Sequence, residues 1–195
     1  MLGIPPRKLG ERCTGVAQER GFTLVELIVT ITMVSLVLAM GLPAFMNMVS
    51  NLRVRSVADS VLAGLQVART EALKRNRNLA FRLDAATGGS WTVGEVDASN
   101  TITTVLQSRS AGDGGTASVA MTPAGTTQVV FNNLGRRIQP TPATADVMAV
   151  NVTNPTVGTC ELDGGRVRCL RVTVTIGGEV RLCDPKRPTG DPQAC

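Results

Sequence analysis

Leu27 to Leu52 is a run of 26 residues without a charge, and the residue just before it is a glutamate, Glu26. Few folds accommodate that arrangement. Taken as a helix, Phe22 to Leu42 rises about 31 Å at ~1.5 Å per residue, enough to cross the hydrocarbon of a bilayer. The segment 1–20 is polar and basic, with Arg7, Lys8, Arg12 and Arg20 against Glu11 and Glu19. Basic flanks stay on the cytoplasmic side, so the C-terminal part of the chain is expected to cross the membrane in a single pass.

An ordinary secretory signal has a shorter apolar stretch that ends at a small-residue cleavage site. A plain membrane anchor fits the length but leaves Glu26 without a role. A lone carboxylate in hydrocarbon costs at least ~2.5 kcal/mol on insertion scales, which makes it a functional feature by default. It needs a cation, and the helix offers none nearby.

The residues at the junction supply an answer. Arg20-Gly21-Phe22-Thr23-Leu24-Val25-Glu26 resembles the type IV prepilin signature. In that family a prepilin peptidase cuts after the glycine, on the cytoplasmic side, and methylates the new N-terminal amine. The apolar helix stays on the mature protein. The resemblance implies cleavage between Gly21 and Phe22, N-methylation of Phe22, and an assembly role for Glu26, whose carboxylate meets the amine of Phe22 in its own or a neighbouring subunit. Pairing two charges in apolar surroundings rewards assembly. Pro43 matches the place where pilin helices carry a kinking proline, and proline inside a helix removes a hydrogen bond. The leader of 21 residues is longer than many in the family, so either a long-leader variant applies or translation starts later.

Beyond the uncharged run, Val57, Val61, Leu65, Ala68 and Ala72 recur at three- and four-residue spacing, while Arg53, Arg55, Asp59, Arg69, Lys74 and Arg75 fall largely off that stripe. The spacing predicts one amphipathic helix continuing to about Arg75. Strand-like runs follow at 79–83, 90–96, 101–107, 128–132, 147–152, 166–176 and 179–182, punctuated by Gly88-Gly89, Gly112 to Gly115, Pro140 to Pro142 and Gly177-Gly178. Thr175 to Val180 reads as a tight hairpin. The small, Gly-rich run Ser108 to Ala124 is expected to be a mobile surface loop. One antiparallel sheet, or two small ones, would cover the helix stripe.

Four of the five cysteines, Cys160, Cys169, Cys183 and Cys195, lie in the last 36 residues. That clustering reads as disulfides formed in an oxidising compartment, since zinc sites space their ligands more tightly. Three connectivities are open, and sequential pairing is our expectation. Cys13 lies in the leader, so cleavage leaves an even number. The chain has no histidine, which excludes imidazole triads and histidine zinc sites. No enzyme activity, cofactor or metal is expected.

The later motifs resemble the GspH/FimT group of minor pilins and pseudopilins. They are Ala68-Arg69-Thr70-Glu71-Ala72, Val130-Phe131-Asn132 with Gly135 and Arg136, and Gly178-Glu179-Val180-Arg181-Leu182-Cys183-Asp184-Pro185 with Cys195. The resemblance implies an α+β pilin fold: a long N-terminal helix, apolar then amphipathic, packed on antiparallel sheet. It divides the chain into a leader (1–21), a transmembrane or filament-core helix half (22–50) and a periplasmic domain (51–195). The expected function is that of a minor type IV pilin, acting in pilus assembly, twitching motility, adhesion or DNA uptake. The expected partners are other pilins or pseudopilins, the prepilin peptidase and the membrane. A type II secretion pseudopilin is the alternative.

Some members of the group bind DNA through a C-terminal G-R-x-R element. Here Gly178-Glu179-Val180-Arg181 stands in its place, with an acid where the first arginine belongs. Arg181 and nearby Arg171 are the candidate phosphate contacts. From Cys160 to Cys195 six basic residues face five acidic ones, so little positive charge converges. The DNA-receptor reading is therefore held third. For the leading reading, mass spectrometry of membrane-extracted protein should find a chain that begins at N-methylated Phe22. An intact leader would refute the processing.

Overall fold

The structure is a computed structural model that describes residues 21–138 and 146–195, with the side chains of residues 43, 44, 113 and 114 outside the description. Residues 1–20 of the expected leader, the Pro43 ring and the expected turn at Pro140 to Pro142 therefore lie outside the described residues. The chain forms two compact units, 1–41 and 42–195. Helix α1, Leu24–Arg75, is continuous across 52 residues.

Each end of α1 has a local cause. Thr23 Oγ1 accepts the backbone N–H of Glu26 at 3.2 Å, which satisfies one of the free donors of the first turn. Glu26 itself sits in that turn, where a negative charge favours the helix dipole. At the other end Asn76 adopts a left-handed φ of 54°, and Arg77 N–H returns to Ala72 C=O at 3.3 Å, which closes the helix. Lys74 and Arg75 in the last turn bind Glu71 at 3.1 and 2.9 Å. Arg75 first, then Lys74, hold the Glu71 carboxyl below its ordinary pKa.

In the first unit no side chain of the helix is covered: every residue from Leu24 to Gly41 is exposed. The second unit holds the core. Val54, Val57, Ala58, Val61, Leu65, Ala68 and Ala72 have no accessible surface, so the stripe expected from spacing is the buried face of α1. Two antiparallel sheets pack on it. The first runs β3-β2-β1-β5-β6 and is built from β1 (Leu79–Ala85), β2 (Ser90–Val96), β3 (Ile102–Arg109), β5 (Gln128–Phe131) and β6 (Arg137–Ile138). The second runs β4-β7-β8-β9, from β4 (Ser118–Thr122), β7 (Val147–Thr153), β8 (Leu170–Thr175) and β9 (Val180–Cys183). Phe81, Trp91, Val93 and Phe131 come to the helix from the first sheet, and Val119, Met148, Val150, Val172 and Val174 from the second. Residues 86–88 and 117–119 stitch the two together: Gly88 N–H donates to Ala117 C=O at 2.7 Å and Val119 N–H to Ala86 C=O at 2.8 Å.

The small residues of the helix set how closely the sheets approach. A Cβ on Gly64 would lie 2.8 Å from the Phe81 ring and 3.0 Å from the Trp91 ring, so only glycine admits that aromatic pair. Trp91 completes the contact by donating its indole N–H to Ser60 Oγ at 3.0 Å.

Three expectations need correction. The Gly-rich run 108–124 is not one loop, because Ser118–Thr122 forms β4 with Val119 and Met121 turned into the core. The alternation of Ala117, Val119 and Met121 with the smaller or polar Ser118, Ala120 and Thr122 is a strand pattern that the surrounding glycines conceal. The strand expected over 166–176 starts only at Leu170, since residues 160–169 form a disulfide loop. The two-residue strand β6 has no counterpart among the expected runs, because two residues carry no period. Along β3, the register against β2 shifts twice, so this edge strand is bulged.

Leu65 fills the middle of the buried face. Leu65→Ala should lower unfolding stability by about 2–5 kcal/mol in urea titration followed through Trp91, the single tryptophan.

Candidate assembly helix and C-terminal arginine face

The residues expected to carry processing and assembly are grouped at the start of α1. Gly21, Phe22 and Thr23 precede the helix, and Phe22 is 85% exposed. Glu26 follows one turn later, also exposed. Around and beyond it the helix presents Leu24, Leu27, Ile31, Val34 and Leu38, all more than half exposed. A surface so apolar on every side of a helix is unsuited to water and suited to lipid or to other helices.

The arginine candidates occupy the outer face of the second sheet. Burial alternates along β8: Leu170, Val172 and Val174 point to the core, while Arg171, Thr173 and Thr175 point away. Thr173 is paired with Arg181 across β8 and β9, so Arg171 and Arg181 share that outer face. Neither side chain is idle. Arg171 Nε donates to Asn151 Oδ1 at 2.7 Å, and Asn151 in turn donates to Thr122 Oγ1 at 3.0 Å, a polar ladder across β8, β7 and β4. The Arg181 guanidinium donates to the C=O groups of Pro192 and Ala194, tying β9 to the C-terminal segment. Glu179 sits at the hairpin, where its N–H is received by Thr175 Oγ1 at 3.2 Å.

Two disulfides frame this region. Cys160 is joined to Cys169 with Cα atoms 5.6 Å apart, and Cys183 to Cys195 at 5.0 Å. Ion pairs connect the two loops: Arg168 binds Asp184 at 3.0 Å and Lys186 binds Glu161 at 3.1 Å. Arg187 binds Asp191 at 3.1 Å. Three of the six basic residues of the tail are thus paired with the tail's own acids. The first loop and the segment that leads into it are also fastened to α1. Arg168 N–H donates to Asn51 Oδ1 at 3.1 Å, and the buried Asn154 donates to Ser50 Oγ at 3.0 Å. Sequence reasoning passes over Ser50 and Asn154, because the bond between them joins positions 104 residues apart. Among the described residues no cluster of three or more metal-ligating side chains occurs.

The later sequence motifs meet at one place. Arg69 Nε donates to Gly135 C=O at 3.2 Å, and Gly178, with φ +81°, lies so close to the same carbonyl that a Cβ would collide with it. Arg137 N–H donates to Ile176 C=O at 3.0 Å. The end of α1, the β5–β6 turn and the β8–β9 hairpin are locked together by residues from all three motifs. Arg137 itself is buried, and burial pushes its pKa down, with Asp146 opposing.

The profile of the type II transport protein GspH family matches residues 57–178, from the buried stripe of α1 to the β8–β9 hairpin. The chain belongs to the GspH family. A prokaryotic N-terminal methylation motif matches residues 17–42 of this GspH-family chain, spanning the junction at Gly21 and the uncharged helix. Among solved structures, the type IV minor pilin FimU of Pseudomonas aeruginosa aligns at 23% identity over 73% of this chain and 94% of its own, with a TM-score of 0.50. The minor pseudopilin EpsH from the type 2 secretion system of Vibrio cholerae aligns at 15% identity over 69% of this chain and 99% of its own, with a TM-score of 0.49. The FimU likeness is one of fold: a long N-terminal helix on antiparallel sheet. No curated protein sequence matches the chain.

If Arg181 serves to hold the C-terminal segment, Arg181→Ala should raise amide hydrogen exchange at Gln193 to Cys195 while the β7–β8 amides stay protected. A residue reserved for phosphate would leave that exchange pattern unchanged.

Proposed function

We propose that this GspH-family chain is a minor structural subunit of a type IV pilus. The observation that carries the reading is the helix. One face of its second half is wholly consumed by the core, whereas its first half is apolar on all sides and exposed throughout. Such a helix needs lipid before assembly and other helices after it. On this reading the peptidase cuts after Gly21 and methylates Phe22, residues 22–50 anchor the chain in the inner membrane and then enter the filament core, and residues 51–195 form the domain on the periplasmic side. Pro43 is the site of local helix distortion. The role is structural, with no catalytic step assigned to any residue.

Glu26 in the first helical turn supplies the anionic half of a charge pair. The methylated amine of Phe22, in the same or a neighbouring subunit, supplies the other. A buried pair broken on one side leaves an uncompensated charge, which typically costs about 3–5 kcal/mol. Glu26→Ala should therefore be processed at Gly21 but fall at least tenfold in the sheared filament fraction, measured by immunoblot against the cell-bound pool. Normal incorporation would sink the pairing argument.

A second reading, a pseudopilin of a type II secretion system, is favoured by membership of a family of type II transport proteins. Deleting the chain distinguishes them: loss of surface pili supports the first, loss of a secreted protein with pili intact supports the second. DNA reception is disfavoured by the internal commitments of Arg171 and Arg181, and binding of full-length protein to DNA at low salt would revive it.

A further inference from the structure

Arg53 and Arg55 are the first charges after Glu26 along α1, and Arg53 stands 27 positions beyond it. At ~1.5 Å per residue that interval is about 40 Å of helix, against ~40–45 Å for a bilayer counted with its headgroups. A helix that spans a bilayer therefore carries both arginines to the level of the lipid phosphates. The second unit has an open depression where its part of the helix begins. Met48, Leu52 and Leu170 line a volume of about 520 Å³, bordered by Arg55 and Arg168. Met48 and Leu52 are 61% and 59% exposed there. Arg168 is held at this height by its backbone N–H, which donates to Asn51 Oδ1 at 3.1 Å.

The arginines here are only partly committed. Arg55 gives its Nε to Asp59 at 2.9 Å, and Arg168 gives its Nε to Asp184 at 3.0 Å. A guanidinium carries further N–H donors on its two terminal nitrogens, and among the described residues those of Arg55 and Arg168 have no acceptor. Arg53 lies two residues before Arg55, on the other flank of the helix. Its Nε and Cζ pass 3.6 Å from where a Cβ on Gly115 would stand, and it has no hydrogen-bond or ion-pair partner among the described residues. Three arginines against two aspartates leave one positive charge. A phosphodiester brings one negative charge and paired oxygens that a guanidinium grips with two hydrogen bonds. The apolar floor beside the arginines adds a second requirement, an apolar part joined to the anion. Inorganic phosphate lacks it; a phospholipid has both in one molecule.

We propose that this end of the domain is a docking surface for anionic phospholipid of the bilayer that holds the chain. Arg55 and Arg168 take the phosphate of one lipid, whose acyl chains start against Met48, Leu52 and Leu170. Arg53 engages a second headgroup on the other flank of α1. The proposal rests on the reading of residues 22–50 as the membrane anchor. It adds a headgroup preference that apolar length alone does not give. Each arginine close to an anionic surface strengthens the attraction about fivefold, and salt weakens it.

The test places the full chain in phosphatidylcholine vesicles with a trace of spin-labelled phosphatidylglycerol or, in parallel, spin-labelled phosphatidylcholine. The fraction of label that the protein immobilises gives its preference between the two headgroups. Phosphatidylglycerol is expected to be favoured at least about threefold at low salt, falling toward parity at about 1 M NaCl. Arg53→Gln with Arg55→Gln, both at exposed positions, should remove most of the preference and leave Trp91 fluorescence unchanged. Arg77→Gln with Arg136→Gln is the control: it loses equal charge at the other end of α1, where Gly135 lies against Leu73, and should keep the preference. Equal immobilisation of both lipids by the unaltered chain would overturn the docking surface. So would a preference that survives the first pair of substitutions, or one that both pairs reduce alike. Vesicle flotation separates this proposal from the anchor reading. Flotation with phosphatidylcholine alone, without headgroup preference, keeps the anchor and rejects the docking surface. Flotation only when phosphatidylglycerol is present keeps the docking surface and rejects the anchor. Flotation with neither rejects both.

Discussion

The packing of two sheets against a single face of α1 is the contact on which everything else in the domain depends. That face is made of valines, alanines, one leucine and a glycine, none with a flexible polar end, and its valines, alanines and leucine have no accessible surface. Small side chains let the sheets come close, and Gly64 lets two aromatic rings of the first sheet rest almost on the helix backbone. Because both sheets use the same stripe, a cavity there would loosen both together. Leu24 to Gly41, exposed throughout, take no part in that core.

That division of labour accounts for the way the tail is built. Four strands alone would leave the end of the second sheet held only by backbone ladders at β9. The disulfide at Cys183, the ion pairs at Asp184 and Glu161, and the Arg181 contacts to Pro192 and Ala194 bind the tail to itself, and Asn51 binds it to the helix through Arg168. Residues that look like a basic recognition surface in the sequence are, in the structure, mostly fasteners. Local pattern does not reveal this, since each fastener's partner is set by chain reversal rather than by spacing.

The helix and its buried stripe are legible in the sequence because a 3.6-residue period sustained over twenty residues arises from little besides a half-buried helix. Most strands are legible from runs of Val, Ile and Thr between glycines. Strand β4 is not, because five residues inside a Gly- and Ser-rich stretch give too short an alternation to stand out. The junction at Gly21 needs no structure to be noticed, since a carboxylate opening an uncharged run is conspicuous in one dimension.

The two register shifts along β3 bear on a hazard of crowding. Chains gathered side by side by their greasy helices present sheet edges to one another at very high local concentration, and flat edges under those conditions fuse into fibres of the wrong kind. A bulged β3, a two-residue β6, a five-residue β4 and a β9 bordered by the tail leave no long straight edge among the described strands. Protection of the sheet edges leaves the uncharged helix, exposed from Leu24 to Gly41, as the longest continuous apolar surface among the described residues.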